Sequence, residues 1–139
     1  VIALAGLVFA VAAAAQPAKV EPAADLHWVD VNKPDGTPSG LRAVDVWGDA
    51  KTGAHGSLAK FPAGMKESLH THTHELRVVV LDGTLRYVID GVETVDLARG
   101  SALIIPANVP HYAHCLAVAP CEVLVQQDGA MDVRPVATP

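Results

Sequence analysis

Seven histidines occur in this 139-residue chain, at His27, His55, His70, His72, His74, His111 and His114. Three of them, His70, His72 and His74, stand at two-residue intervals just ahead of a β-branched run at residues 78–80. Alternate residues of a strand point to the same face. A strand here therefore predicts a column of imidazoles, continued by Leu76, Val78 and Val80 as packing residues. Imidazole suits divalent zinc, iron, nickel and copper, and a small metal site takes three or four protein ligands. His70 and His72 supply two from one strand, so a third has to come from a neighbouring strand. His111 is the candidate, because the proline-bounded turn at residues 106–110 sets where its strand begins. His114 lies an odd step from His111 and is expected on the opposite face.

The next ligand is open. Strict alternation turns Glu75 away from His70 and His72 and leaves His74 with them. A β-bulge within residues 73–75 would re-aim the Glu75 carboxylate toward the histidines; without one, His74 is the extra donor. A carboxylate suits an octahedral iron(II), manganese(II) or nickel(II) site. Glu67 and Arg77 share the odd-numbered face with Glu75 and read as surface ion pairs. Other chemistries find little support. Ser57, Ser68 and Ser101 lack a nucleophile-elbow context, and no glycine-rich phosphate loop precedes a helix. A Cys115 thiol paired with His111 or His114 would be a nucleophile only if that cysteine is not oxidised.

The elements that must hold these residues read as short strands. Candidates cover residues 26–31, 41–47, 57–61, the histidine segment, 84–89, 92–97, 101–105, 111–118 and 122–127, with an edge strand at 131–133. Gly and Pro punctuate them at short intervals, Asp82–Gly83 reads as a hairpin turn, Asp90–Gly91 makes another, and 111–118 with 122–127 reads as a final hairpin. No segment carries a helical period. That pattern predicts a small all-β fold, mainly antiparallel, either a sandwich or a barrel. Trp28 and Trp47 are expected to pack in the core or at its rim. Cys115 and Cys121 flank a turn near Val118, which leaves open a disulfide between facing positions or two buried thiols.

The length fits one domain. Ten basic against fifteen acidic residues give a net charge of −5, which offers no basic stripe for nucleic acid. Residues 1–15 carry no charged or polar side chain, are too short for a stable membrane span, and lead into Gln16–Pro17. They resemble the remnant of an export signal. Residues 16–25 then read as a linker and 26–135 as the folded domain, in a periplasmic or secreted chain whose cysteines could oxidise.

The run Gly64-x5-His70-x-His72, followed by Glu75 and Gly83, resembles the first cupin motif. Gly100-x5-Pro106-x4-His111 resembles the second. The family's usual glutamate falls one place later, on Leu76 here. The resemblance implies a cupin-type jelly-roll β-barrel holding one divalent metal ion (Fe, Mn, Zn or Ni) through His70, His72, the motif glutamate and His111. The chain is also similar to exported cupin-like domains of unknown function, which carry an acidic residue at the Glu75 position and a closing segment matched by Gln127, Gly129 and Asp132. That similarity favours Glu75 over His74. In an enzyme, His70, His72 and His111 would leave open metal positions for a small-molecule partner, anionic or enediol-like, and the cupin resemblance allows a homodimer built on sheet edges. Three functions follow for such a site: a metal-dependent enzyme, a dioxygenase or related; a non-catalytic metal- or ligand-binding module; or a metal that only staples the fold.

Overall fold

The structure, a computed structural model, describes residues 17–116 and 118–137. The expected export remnant, residues 1–15, lies outside the described residues, and the periplasmic or secreted placement that rested on it goes no further. No helix among the described residues is long and apolar enough to cross a membrane. The chain order begins with one 3-10 turn, Ala23–Asp25, followed by β1 (Val29–Asn32), β2 (Pro38–Gly48), β3 (His55–Phe61) and the short β4 (His70–Thr71). Then come β5 (Leu76–Asp82), β6 (Thr84–Ile89), β7 (Val95–Ala98), β8 (Ala102–Ile105), β9 (His111–Cys115), β10 (Cys121–Gln127) and the edge pair β11 (Arg134–Pro135).

Period-two patterning explains why these segments are strands. In β10 the buried residues are Cys121, Val123, Val125 and Gln127, and the residues between them are half-buried. β5 likewise buries every second residue, Leu76, Val78 and Val80, and turns Val79 outward. The strands assemble into two antiparallel sheets, β1-β2-β3-β10-β5-β8 and β11-β4-β9-β6-β7. Their inner faces meet in one core, where Phe61, Val78, Val80 and Val123 from the first sheet face Leu85, Tyr87 and Ala113 from the second.

This arrangement corrects the expected jelly-roll barrel. A closed barrel leaves no strand unpaired on either side. Here β1 and β8 end one sheet while β7 and β11 end the other, so the fold is an open two-sheet sandwich. At one of these edges Pro135 has no N–H to offer a further strand.

Both expected hairpins around the core are also corrected. β5 and β6 belong to different sheets, so Asp82–Gly83 is a corner between layers. Gly83 has φ +77°, and a Cβ there would lie 2.8 Å from the Pro120 carbonyl oxygen and 2.9 Å from Cys121 Sγ. Close approach against the start of β10 leaves no room for a side chain. Likewise β9 and β10 part into separate sheets, and the Cys115–Cys121 disulfide ties the end of one to the start of the other, with Cα atoms 5.8 Å apart. The turn at Asp90–Gly91 does join a hydrogen-bonded antiparallel pair, β6 with β7. The expected edge strand at 131–133 forms slightly later, at β11. Trp47, half-exposed, lies across Gly56 on the neighbouring strand, and Lys60 stands 3.9 Å above the Trp28 ring, so both tryptophans pack at the rim.

Candidate metal centre

The histidine segment is not one strand. β4 belongs to the five-stranded sheet and β5 to the six-stranded one, so residues 72–75 carry the chain across from layer to layer. That crossing breaks the expected column of three imidazoles. His70 in β4 pairs directly with His111 in β9, and His72 follows at the start of the crossing. The ring centroids lie 4.9 Å apart for His70–His72, 4.6 Å for His70–His111 and 5.1 Å for His72–His111. One donor nitrogen from each lies within 4.8 Å of the others, and all three residues are buried.

The outer nitrogens show which donor faces inward. His70 Nδ1 is 2.7 Å from the Ser68 carbonyl oxygen, and His111 Nδ1 is 2.8 Å from that of Val109. His72 Nδ1 bonds the carbonyl oxygen of Asp132. A carbonyl can only accept, so each Nδ1 carries a proton, and it is the Nε2 of the neutral ring that would present a lone pair. His111 Nε2 is buried with no hydrogen-bond partner, a state that normally has a price in desolvation and that a bound cation would relieve. Burial holds the His111 pKa down at about 4, against an opposing pull from the Val109 carbonyl, and burial lowers His72 as well. Neutral imidazole is the ligating form. The cluster thus forms a site for one divalent metal cofactor, with donor chemistry that fits zinc, iron or nickel.

Local sequence explains the positioning. The turn 106–110 closes by a Val109 N–H bond to the Pro106 carbonyl, and Asn108, at φ +63°, donates its N–H to the His72 carbonyl at 2.8 Å. One turn therefore fixes both His111 and the backbone of His72. From the other side the segment after β10 grips the crossing. Gln127 Nε2 donates to the His74 carbonyl at 3.1 Å, and the Asp132 carboxylate accepts from the Thr73 N–H at 2.8 Å. A Cβ on Gly129 would sit 2.2 Å from His74 Nε2, so a glycine there makes room for the His74 ring.

The remaining expected residues are placed elsewhere. His74 lies over Gly129 and is outside the cluster. Glu75 is not brought to the histidines. Its carboxylate accepts from Arg77 Nε at 2.8 Å, and Arg77 also binds Asp128. β5 pairs with β8 from Leu76 onward, so Leu76 points inward and Glu75 and Arg77 outward, with no bulge to re-aim the carboxylate. His114 sits opposite Arg86 on β6, on the other face of β9 from His111.

Glu67, expected on the surface, instead lines the same cavity as His70, His72 and Tyr87. Its N–H donates to the Ala113 carbonyl at 2.9 Å and its Oε2 accepts from the Ala113 N–H at 3.0 Å. Burial pushes its carboxyl up, with His70 pulling the other way, and burial also pushes the Tyr87 phenol well above its usual range. Strand parity misses Glu67 because residues 64–67 run along β9 without forming a regular strand, and the chain breaks step at Ser68–Leu69. Its position three residues ahead of His70 is the one signal the sequence offers.

No protein of curated function matches this chain. Among solved structures it is similar to the polyketide cyclase RemF from Streptomyces resistomycificus, with 20% identity over 87% of each chain and a TM-score of 0.72. An RmlC-like cupin from Shewanella frigidimarina shares 19% identity over 79% of this chain and 89% of its own, with a TM-score of 0.65. KdgF from Halomonas sp. shares 20% over 81% and 94%, with a TM-score of 0.64. Identities this low speak to the fold alone. The Cupin domain model matches residues 57–126, half of the chain, and spans His70, His72 and His111, so this single small domain belongs to the cupin family.

Proposed function

We propose that His70, His72 and His111 hold one divalent ion, Fe, Mn, Zn or Ni, and that the chain acts there on a small organic molecule as a metal-dependent enzyme, a dioxygenase or related. The observation that carries this reading is the set of inward-facing Nε2 atoms, each with its Nδ1 tied to a backbone carbonyl, with His70 and His72 opening on a cavity of about 750 Å3. A metal that only staples the fold is best served by a closed protein shell. Neither His74 nor Glu75 completes one here. Bound, the ion would supply Lewis acidity or oxygen activation. The chain's own residues orient three imidazoles through their Nδ1 hydrogen bonds and set Glu67 and Tyr87 beside the space where a substrate would lie. The family's fold hosts many chemistries, so the reaction class rests on this site and not on the likeness to a cyclase. The test is metal analysis and divalent titration of the purified protein, followed by oxygen uptake over catechols, thiols and small keto acids. Failure to bind any of the four metals refutes the reading. Tight binding with flat oxygen traces for every ion selects the non-catalytic binding module.

A further inference from the structure

The cavity beside the histidines has a composition that says what it can admit. Its walls away from the metal centre are apolar, with Val31, Leu41, Ala43, Phe61, Val125 and Met131 contributing from the six-stranded sheet and the segment after β10. Its acidic lining outweighs its basic lining. Asp45, Asp49 and Glu67 stand against Lys51, while Glu21 and Asp30 at the mouth are paired with Lys19 and Arg42. Asp45 is fixed in place by the Ser57 hydroxyl at 2.6 Å and the Ala50 N–H at 2.9 Å, so its carboxylate cannot swing out of the way. An anionic ligand would leave water for a space where the Asp45 carboxylate is held in place and shares its sign, with the metal and Lys51 as the unpaired positive charges to offset that. An uncharged apolar molecule meets no such opposition and gains from burial against the walls.

Glu67 narrows the class. Its Oε2 is taken by the Ala113 N–H, which leaves Oε1 to accept a hydrogen bond from a ligand hydroxyl close to His70. We infer that the ligand of this site is an uncharged, largely apolar molecule bearing a hydroxyl, of the phenol or enol class, with its oxygen at the His70–His72–Glu67 end and its carbon skeleton along the Val31–Ala43–Phe61 wall. The inference rests on the metal-centre reading and, of the anionic or enediol-like molecules expected from the sequence, sets aside the anionic ones.

The experiment compares 2-naphthol with 2-naphthoate, which share a ring system and differ in charge near neutral pH, by calorimetric titration into the zinc-loaded and the metal-free protein. Zinc titration without either compound reports the metal centre separately, so its failure and that of the ligand class are read independently. The expected result is 2-naphthol binding at least about tenfold tighter than 2-naphthoate to the zinc-loaded protein, with weaker but measurable 2-naphthol binding when the metal is removed. Equal or tighter binding of the carboxylate overturns the inference, and so does the absence of binding by both compounds. In A43F the added ring fills the cavity, and 2-naphthol binding is expected to fall at least about tenfold in a variant shown to be folded by its melting transition. Undiminished binding there would place the naphthol outside the cavity and overturn the assignment; if the variant does not fold, the wild-type ranking decides.

Discussion

Protonation of His111 should set how the metal-free protein loses stability in mild acid. In the unfolded chain a histidine takes its proton near pH 6.5, whereas burial in the folded state holds His111 at about 4. Between those values the unfolded state binds more protons, so stability falls as pH falls; it is fully present above the unfolded value and lost progressively below it. The separation of about 2.5 units corresponds to about 3 kcal/mol once the pH reaches the folded value, and about 2 kcal/mol of that is already lost near pH 5. Because His111 is almost completely buried, solvent screening does little to reduce this figure. The assay is urea denaturation in the presence of chelator at about pH 7.5 and about pH 5, for wild type and for His111→Gln. His72 shifts in the same direction but is present in both proteins, so the difference between the two pH dependences isolates His111. Wild type should lose about 2 kcal/mol more than the variant. Identical losses in both would show that His111 is not held neutral by the fold, and the site would then not be poised for a cation.

Three further outcomes are expected. His72→Ala should weaken divalent binding by more than about 100-fold, beyond what loss of a supporting hydrogen bond produces, and should abolish the rise in melting temperature that metal gives wild type; His114→Ala should keep both, and equal loss in the two variants would contradict the geometry. Asp132→Ala removes the carboxylate that holds the Thr73 N–H while leaving the backbone carbonyl that orients His72, so metal affinity should drop about tenfold without loss of the fold by circular dichroism. Replacing Cys115 and Cys121 together by serine frees a cross-link of sequence separation 6, and urea denaturation should show a loss of about 2 kcal/mol by the chain-entropy argument; an unchanged midpoint would mean the two sheets are held by packing alone.

The histidines at the centre are legible in the sequence because their chemistry and spacing are local properties. A His-x-His pair and a third histidine behind a proline-bounded turn need no partner information. The carboxylates are less legible, and for an instructive reason. Parity places Glu75 outside, and the fold agrees, since its outward pairing with Arg77 follows from β5 beginning at Leu76. The similarity to exported cupin-like domains points the other way, and in the fold the Glu75 carboxylate pairs with Arg77. Parity then misplaces Glu67, because the step from residues 64–67 to His70 passes through Ser68–Leu69, where no strand geometry carries the alternation. His74 fails likewise: it has the right parity for a strand that ends at Thr71.

What the sequence determined by itself was the run of short strands, the inward face of each, and the imidazoles able to bind a metal, since tetrahedral carbon and the extended backbone fix which side chains share a face within a strand. Tertiary structure alone decided which sheet each strand joined, and with it the open sandwich, the corner at Gly83 and the crossing at residues 72–75. Sheet membership is settled by hydrogen-bond partners and buried faces far apart in the chain, so no local pattern contains it. The same long-range choice carried Glu67 into the cavity and left Glu75 on the surface.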